Sequence, residues 1–157
     1  MSAPQFWLLK TEPSEYSWSD LWRAPRRTGR WDGVRNYQAR MNLRKMKVGD
    51  RVFVYHSGEK PLQIVGIAEV VREAYPDPTQ FDVASGYYDP KSKRDEPRWS
   101  SVDVRAVGPL KFPVTMETMR ANVELKNMVL LNNTRLSVQP VTESEWESVC
   151  KMGGNPR

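Results

Sequence analysis

Two β-rich runs, "RVFVYHS" (residues 51–57) and "LQIVGIAEVVREA" (residues 62–74), stand only "GEKP" apart and commit this chain to a sheet. In the first, Val52, Val54 and His56 alternate with Phe53, Tyr55 and Ser57, the period of two that a strand requires. In the second, Gly66 predicts a bulge or a close packing contact. Three further runs read as strands: "FWLLK" (6–10), ended by "TEP"; "WSSVDVRAVGPL" (99–110), with Val102, Val104 and Ala106 on one face; and "RLSVQPV" (135–141).

Helices fall between them. "SWSDLWRA" has Ser17 as N-cap with Asp20 three residues on, and stops before Pro25. Asn36 caps a second helix from Tyr37 to about Met46, with Ala39, Leu43 and Met46 on its core face and Arg40, Arg44 and Lys47 on another side. "TMETMRAN" and "ELKNMVLL" read as short helices. "TESEWESVCKMGG" is a last helix, opened by a Thr142/Glu145 capping box and stopped at Gly153. "PRRTGRWDG" (25–33) reads as an irregular loop, "YPDPTQFD" as a break, and residues 84–98 as a long polar surface loop. This order predicts one mixed α+β domain over residues 1–157, its sheet curved or closed into a small barrel with helices packed outside. At 157 residues the chain is long enough to bury a real core without covalent staples.

Several function classes are excluded early. No apolar run approaches the ~20 residues of a membrane span, and "MSAPQFWLLKTEP" carries no basic leader followed by an apolar stretch. The single cysteine, Cys150, rules out an internal disulfide and a multi-cysteine zinc site, and points to the cytoplasm or nucleus. It sits near Trp146 and Val149 on the last helix, as a core residue does. Phosphate-cradling glycine loops, a nucleophile elbow and a two-histidine metal helix are all missing, so no cofactor and no metal is expected. His56, the only histidine, has the chemistry of a general base, but an active base usually needs several partners, and it reads better as hydrogen-bonding within a pocket or at a strand end. Asp77 and Asp89, each before a proline, read as turn residues.

What remains is charge and aromatic rings. Residues 23–51 hold ten Lys/Arg and two acids, a local +8 within a chain whose net charge is +5. Charge so concentrated is the footprint of a polyanion-binding face, the alternative being a solvated surface. Trp7, Trp99 and Trp146 lie in regular elements and read as structural. Trp31 lies in the Gly- and Arg-rich loop. There it can either offer an indole face to a nucleobase or fold back as a lid on the core. Asn36, Tyr55, His56 and Ser57 could supply hydrogen bonds to such a base, and arginines of the next helix could neutralise phosphates.

Four blocks, "FWLLKTEPSEYSWSDL", "WDGVRNYQARMNLRKMKVGDRVFVYHSG", "IVGIAEVVREAYPDPTQFD" and "RLSVQPVTESEW", resemble the EVE-domain family in content and order along nearly the whole chain. Met41, where the family more often has Asn or a similar residue, is a departure, and "KSKRDEP" resembles a variable loop. The resemblance implies a PUA-like fold, kinship with YTH domains that read a methylated adenine in RNA, and a non-enzymatic module. Such a module would read a modified base, a modified cytosine in DNA, flipped into an aromatic pocket. Carried over by position, Trp31 would be the stacking wall, with Lys10, Thr11, Glu12 and Asn36 as polar lining. Tyr55, His56 and Ser57 would form the rim, and Tyr75 and Asp77 the facing loop. Arg35, Arg40, Arg44 and Arg135 would serve the phosphates, unless Arg35 and Arg40 are buried partners of acids such as Glu12 or Asp32. The competing readings are an RNA-binding module related to YTH domains, and an enzyme on a modified nucleotide with His56 and Glu12 as acid and base.

Overall fold

The computed structural model describes residues 3–155. Its centre is one six-stranded sheet of β1 (Phe6–Thr11), β2 (Thr28–Trp31), β3 (Arg51–His56), β4 (Gln63–Pro76), β5 (Ser100–Thr115) and β6 (Val138–Val141). The spatial order is β2-β5-β4-β3-β1-β6. β1 runs parallel to β3, and every other neighbouring pair is antiparallel. Among the described residues five α-helices flank it: α1 (Trp18–Arg23), α2 (Tyr37–Lys45), α3 (Met116–Arg120), α4 (Val129–Asn132) and α5 (Glu143–Met152). The expected mixed α+β architecture is present, but the sheet does not close. β2 and β6 are its two edges, so the barrel alternative is corrected to an open, bulged sheet.

The sheet is covered on both faces, which is why its central strands read as nearly unbroken apolar runs. Trp7, Leu9, Val52, Val54, Val102, Val104 and Ala106 point to one side, where Leu21 of α1 and Ala39 and Leu43 of α2 meet them. Leu8, Phe53, Tyr55, Ile64 and Ile67 point to the other, against Met119 of α3, Leu130 of α4 and Trp146, Val149 and Cys150 of α5. Phe53 and Trp146 stack at 3.7 Å between ring centres. The expected caps are formed: Ser17 and Asp20 close a capping box on α1, Asn36 Oδ1 accepts from the Ala39 N–H, and Thr142 and Glu145 box α5.

Gly66 proves to be both a bulge and a contact. The β3–β4 and β4–β5 registers slip beside it, and a Cβ there would lie 2.6 Å from the Trp18 ring. Three local expectations are corrected. Residues 28–31, expected as loop, form the edge strand β2, which pairs Trp31 with Val102. "ELKNMVLL" is not one helix but a 3-10 turn (Val123–Leu125) followed by α4. "YPDPTQFD" is the end of β4 and a 3-10 turn (Pro78–Phe81) opened by Asp77. Within that turn Gln80 is fully buried. Its amide donates to the Asp77 and Trp99 carbonyls and accepts from Ser92 Oγ and the Trp99 N–H, which ties together both ends of the long loop that follows.

Candidate nucleic-acid interface

Because β1 and β3 are parallel neighbours, their C-terminal ends emerge on the same side of the sheet, and the Ser57 N–H donates to the Thr11 carbonyl there. A cleft of about 710 Å³ opens at this point. Its floor and near wall come from Lys10, Thr11, Glu12, Glu15, Tyr16 and Ser57. The opposite wall is the end of β2 and its turn, Arg30 to Arg35. Tyr87 of the long loop and residues 134, 135 and 137 before β6 complete it.

Each wall is held by identifiable contacts. Thr11 Oγ1 donates to the Tyr16 carbonyl, and the Glu12 carbonyl accepts from the Glu15 and Tyr16 N–H groups, so the segment after β1 folds back as a tight turn. The Glu12 side chain lies against Gly58, where φ is +84° and a Cβ would sit 2.5 Å from Glu12 Oε1. Trp31 is only 6% exposed and meets Tyr16 edge to face, with ring centres 6.2 Å apart. Tyr87 packs on Gly33 (φ +77°), where a Cβ would lie 2.7 Å from its ring.

Arg35 fixes the far wall. One guanidinium nitrogen reaches Asp77 Oδ2 at 3.0 Å and the other donates to Thr79 Oγ1 and to the Tyr87 carbonyl. Asp77 is fully buried and also accepts from the Gly33 and Thr79 N–H groups. Burial alone would raise its carboxyl pKa, but hydrogen bonds from Thr79, Gly33 and Arg35 hold it below the usual range.

The electrostatics are mixed. Lys10, Arg30, Arg35 and Arg135 face Glu12, Glu15 and Asp32, with Arg30 paired to Asp32 at 3.0 Å. Lys10 Nζ donates to the Thr134 carbonyl, and burial pushes its ammonium pKa down. Burial raises the pKa of the Tyr16 phenol, helped by Asp20 and Asp32, and that of Tyr87, helped by Glu15, so both rings arrive as neutral hydrogen-bonding walls.

Of the residues singled out in the sequence, Trp31, Lys10, Thr11, Glu12, Ser57, Arg35 and Arg135 come together in this cleft. The others stand elsewhere. Asn36 is the cap of α2. Tyr55 faces the opposite core. His56 Nε2 accepts from the Trp18 N–H at 3.0 Å. The Tyr75 hydroxyl donates to Asp103, whose carboxylate, after burial, pushes the phenol pKa up. Asp77 lies behind the wall as the partner of Arg35, an acid different from the Glu12 or Asp32 that the sequence suggested.

Arg40 donates to the Arg98 carbonyl, and Arg44 to Ser100 Oγ, on the outer side of α2. Tyr16, Glu15, Arg30, Asp32 and Tyr87 were missed. "SEYSW" and "GYYDP" put tyrosines in polar surroundings, which was the available signal. Among the described residues, no helix is long and apolar enough to cross a membrane, and no three His, Cys, Asp or Glu side chains are grouped to hold a metal ion.

Comparison with known proteins places the chain in a family. Mouse (Mus musculus) thymocyte nuclear protein 1 is 42% identical over 94% of this chain and 73% of its own length. The crystal structure of human THYN1 protein in complex with 5-methylcytosine-containing DNA is 40% identical, covers 98% of this chain and 99% of that one, and superimposes with a TM-score of 0.93. The YTH domain of Zygosaccharomyces rouxii MRB1, solved with N6-methyladenosine RNA, shares the fold at a TM-score of 0.58 and 14% identity, over 98% of this chain and 88% of that one. The family model for the EVE domain matches residues 5–152, and with relatives this similar along nearly its whole length the chain belongs to the EVE domain family.

Proposed function

We propose that residues 1–157 act as one non-enzymatic domain that reads a modified base, a modified cytosine in DNA, flipped out of its stack into the cleft between β1 and β2. The observation that carries this reading is the meeting of Trp31, Tyr16 and Tyr87 with Glu12 and Glu15 in one cavity of base-holding size. A carboxylate is the natural acceptor for the exocyclic amine of cytosine. Extruding a base costs a few kcal/mol, and stacking on an aromatic wall returns ~1–3 kcal/mol per base. Arg30 and Arg135 suit phosphates, while Lys10 is held by the Thr134 carbonyl and Arg35 is committed to Asp77 and shapes the wall. A methyl group on the base adds only ~0.8 kcal/mol when buried, so discrimination must come from a close fit. The human relative solved with 5-methylcytosine DNA supports this ligand class.

The enzymatic alternative loses its base, because His56 Nε2 already accepts from the Trp18 backbone and the ring does not line the cleft. The RNA alternative rests on a likeness at 14% identity, which speaks for the fold alone. The reducing compartment read from the sequence, cytoplasm or nucleus, suits a domain of this kind.

The test is competition binding at about 150 mM salt, using matched DNA and RNA with plain or modified cytosine and adenine. The wild type is expected to prefer one modified cytosine in DNA. Glu12→Gln is expected to lose about tenfold on that oligonucleotide, in line with a charge-assisted hydrogen bond. Equal binding to every oligonucleotide, unchanged in Glu12→Gln, overturns the reading.

A further inference from the structure

Arg35 does more than close the cleft: it begins a stack of rings and guanidinium groups that leads out of it. Its Cζ lies 5.6 Å from the Tyr87 ring centre and 5.4 Å from that of Trp99. Trp99 in turn stacks on Tyr37, the first residue of α2, at 5.1 Å and 23°. Trp99 is buried and fixed through its indole N–H, which donates to Asp89. Tyr37 is 56% exposed. A tyrosine ring held in place on one face and open to water on the other is a prepared stacking surface.

Arg40 sits 4.8 Å from the Tyr37 centre and 5.9 Å from the Trp99 centre. Being close to both, it flanks the pair and leaves the outer face of Tyr37 open. A guanidinium capping that face would stand much farther from Trp99. One helical turn on, Met41 is 48% exposed beside it. Around these apolar atoms α2 presents Arg44 and Lys45 and contains no acid, and Arg98, in the loop before β5, offers its carbonyl to Arg44 while its guanidinium stands 3.9 Å from Asp89. A protein partner that matched an aromatic–methionine patch would have to bring acids to meet this ring of cations. A nucleic-acid strand brings both a flat base and a phosphate with every residue. The patch is also continuous with the cleft through Trp99 and Arg35.

We propose that Tyr37 is a second stacking platform, holding a base that neighbours the one in the cleft, with Arg40 and Arg44 beside it on the phosphates. This rests on the cleft reading for its register but not for its chemistry. By the two stacking distances, the Tyr37 ring lies within about three stacked nucleotides of the Arg35 guanidinium, at ~3.4 Å rise per base.

The experiment measures binding of wild type, Tyr37→Ala and Tyr37→Phe to single-stranded oligonucleotides carrying plain or modified cytosine, with 2-aminopurine beside that cytosine as a stacking reporter. Thermal midpoints are read in parallel. Tyr37→Ala is expected to weaken binding roughly 5- to 100-fold on both oligonucleotides alike and to relieve the reporter's quenching, while Tyr37→Phe stays near wild type. Three results would each overturn the proposal: wild-type affinity in Tyr37→Ala, a loss that Tyr37→Phe does not restore, or a loss confined to the modified oligonucleotide. If the wild type shows no preference for a modified base, the cleft reading fails alone. The Tyr37 effect is still read on plain strands.

Discussion

Arg35 and Asp77 meet at 3.0 Å with the carboxylate fully out of water, and this contact joins the turn after β2 to the turn after β4. Removing Asp77 leaves a guanidinium that is still largely buried and strips acceptors from the Gly33 and Thr79 N–H groups. Asp77→Ala is therefore expected to cost about 3 kcal/mol, the lower end of the range for breaking a buried pair, because Arg35 retains some access to water. The shift of the urea midpoint at neutral pH measures it. The carboxyl pKa is lowered in the folded state, so its contribution is present above ~3.9 and is lost as pH falls through that lowered value. Wild type should lose stability below about pH 4, and Asp77→Ala should lose less there.

A second, separate pH window belongs to His56. Its Nε2 accepts from the Trp18 N–H, which only the neutral imidazole can do, and burial lowers its pKa against the smaller opposing pull of Glu59. As pH falls below ~6.5, the unfolded chain takes up a proton that the folded chain still refuses. Stability is thus complete above ~6.5 and declines below it, until the lowered folded pKa is passed. Thermal midpoints between pH 7.5 and 5 should show this slope in wild type. His56→Gln, whose amide oxygen can still accept, should flatten it.

Gly58 tests the seat of Glu12. An alanine there meets a left-handed backbone cost of about 1–2 kcal/mol and would drive its Cβ into the Glu12 carboxylate. Gly58→Ala should lower the unfolding midpoint modestly and weaken oligonucleotide binding together with it. Gly49 provides the control: its φ is +94° with nothing within 4 Å of the added Cβ, so Gly49→Ala should share the stability cost and spare binding.

Trp31 is both wall and core, and the two roles separate by substitution. At 6% exposure, packed among the residues of the α1–α2 face, it is expected to cost about 3–5 kcal/mol as Trp31→Ala. Binding lost in that variant would therefore report unfolding as much as stacking. Trp31→Phe should keep most of the stability, and binding measured well below its thermal midpoint then reads the stacking contribution.

The regular elements with strong periodicity were legible in the chain. The caps at Ser17, Asn36 and Thr142, and the alternation through Val52 to Tyr55, mark physical requirements that local residues must satisfy themselves. β2 was hidden because it is a four-residue edge strand between Pro25 and Gly33 that itself contains Gly29. Its pairing with β5 comes from residues some seventy positions away.

Strand parity sets Tyr55 with Phe53, on the face opposite Val54, and so away from the rim that the family likeness implies. That information was in the sequence. Tyr87 was not readable in the same way. Its place depends on Gly33 lacking a side chain and on Arg35 binding the Tyr87 carbonyl, both of them long-range contacts. Lys10, Glu12 and Ser57 could be grouped through the family likeness, and the parallel pairing of β1 with β3 is the physical reason they meet.

Gln80 closes the base of the segment that carries Tyr87, bonding to Asp77 and Ser92 and to both backbone groups of Trp99. A loop clamped at its root by one internal side chain behaves as an exchangeable cartridge. Apart from Tyr87, Asp89 and Ser92, which bond to Arg35, Trp99 and Gln80, its positions can change with little strain passed to the sheet beneath. Exchanging residues 82–98 between relatives therefore changes one wall of the cleft while leaving the sheet beneath it as it is.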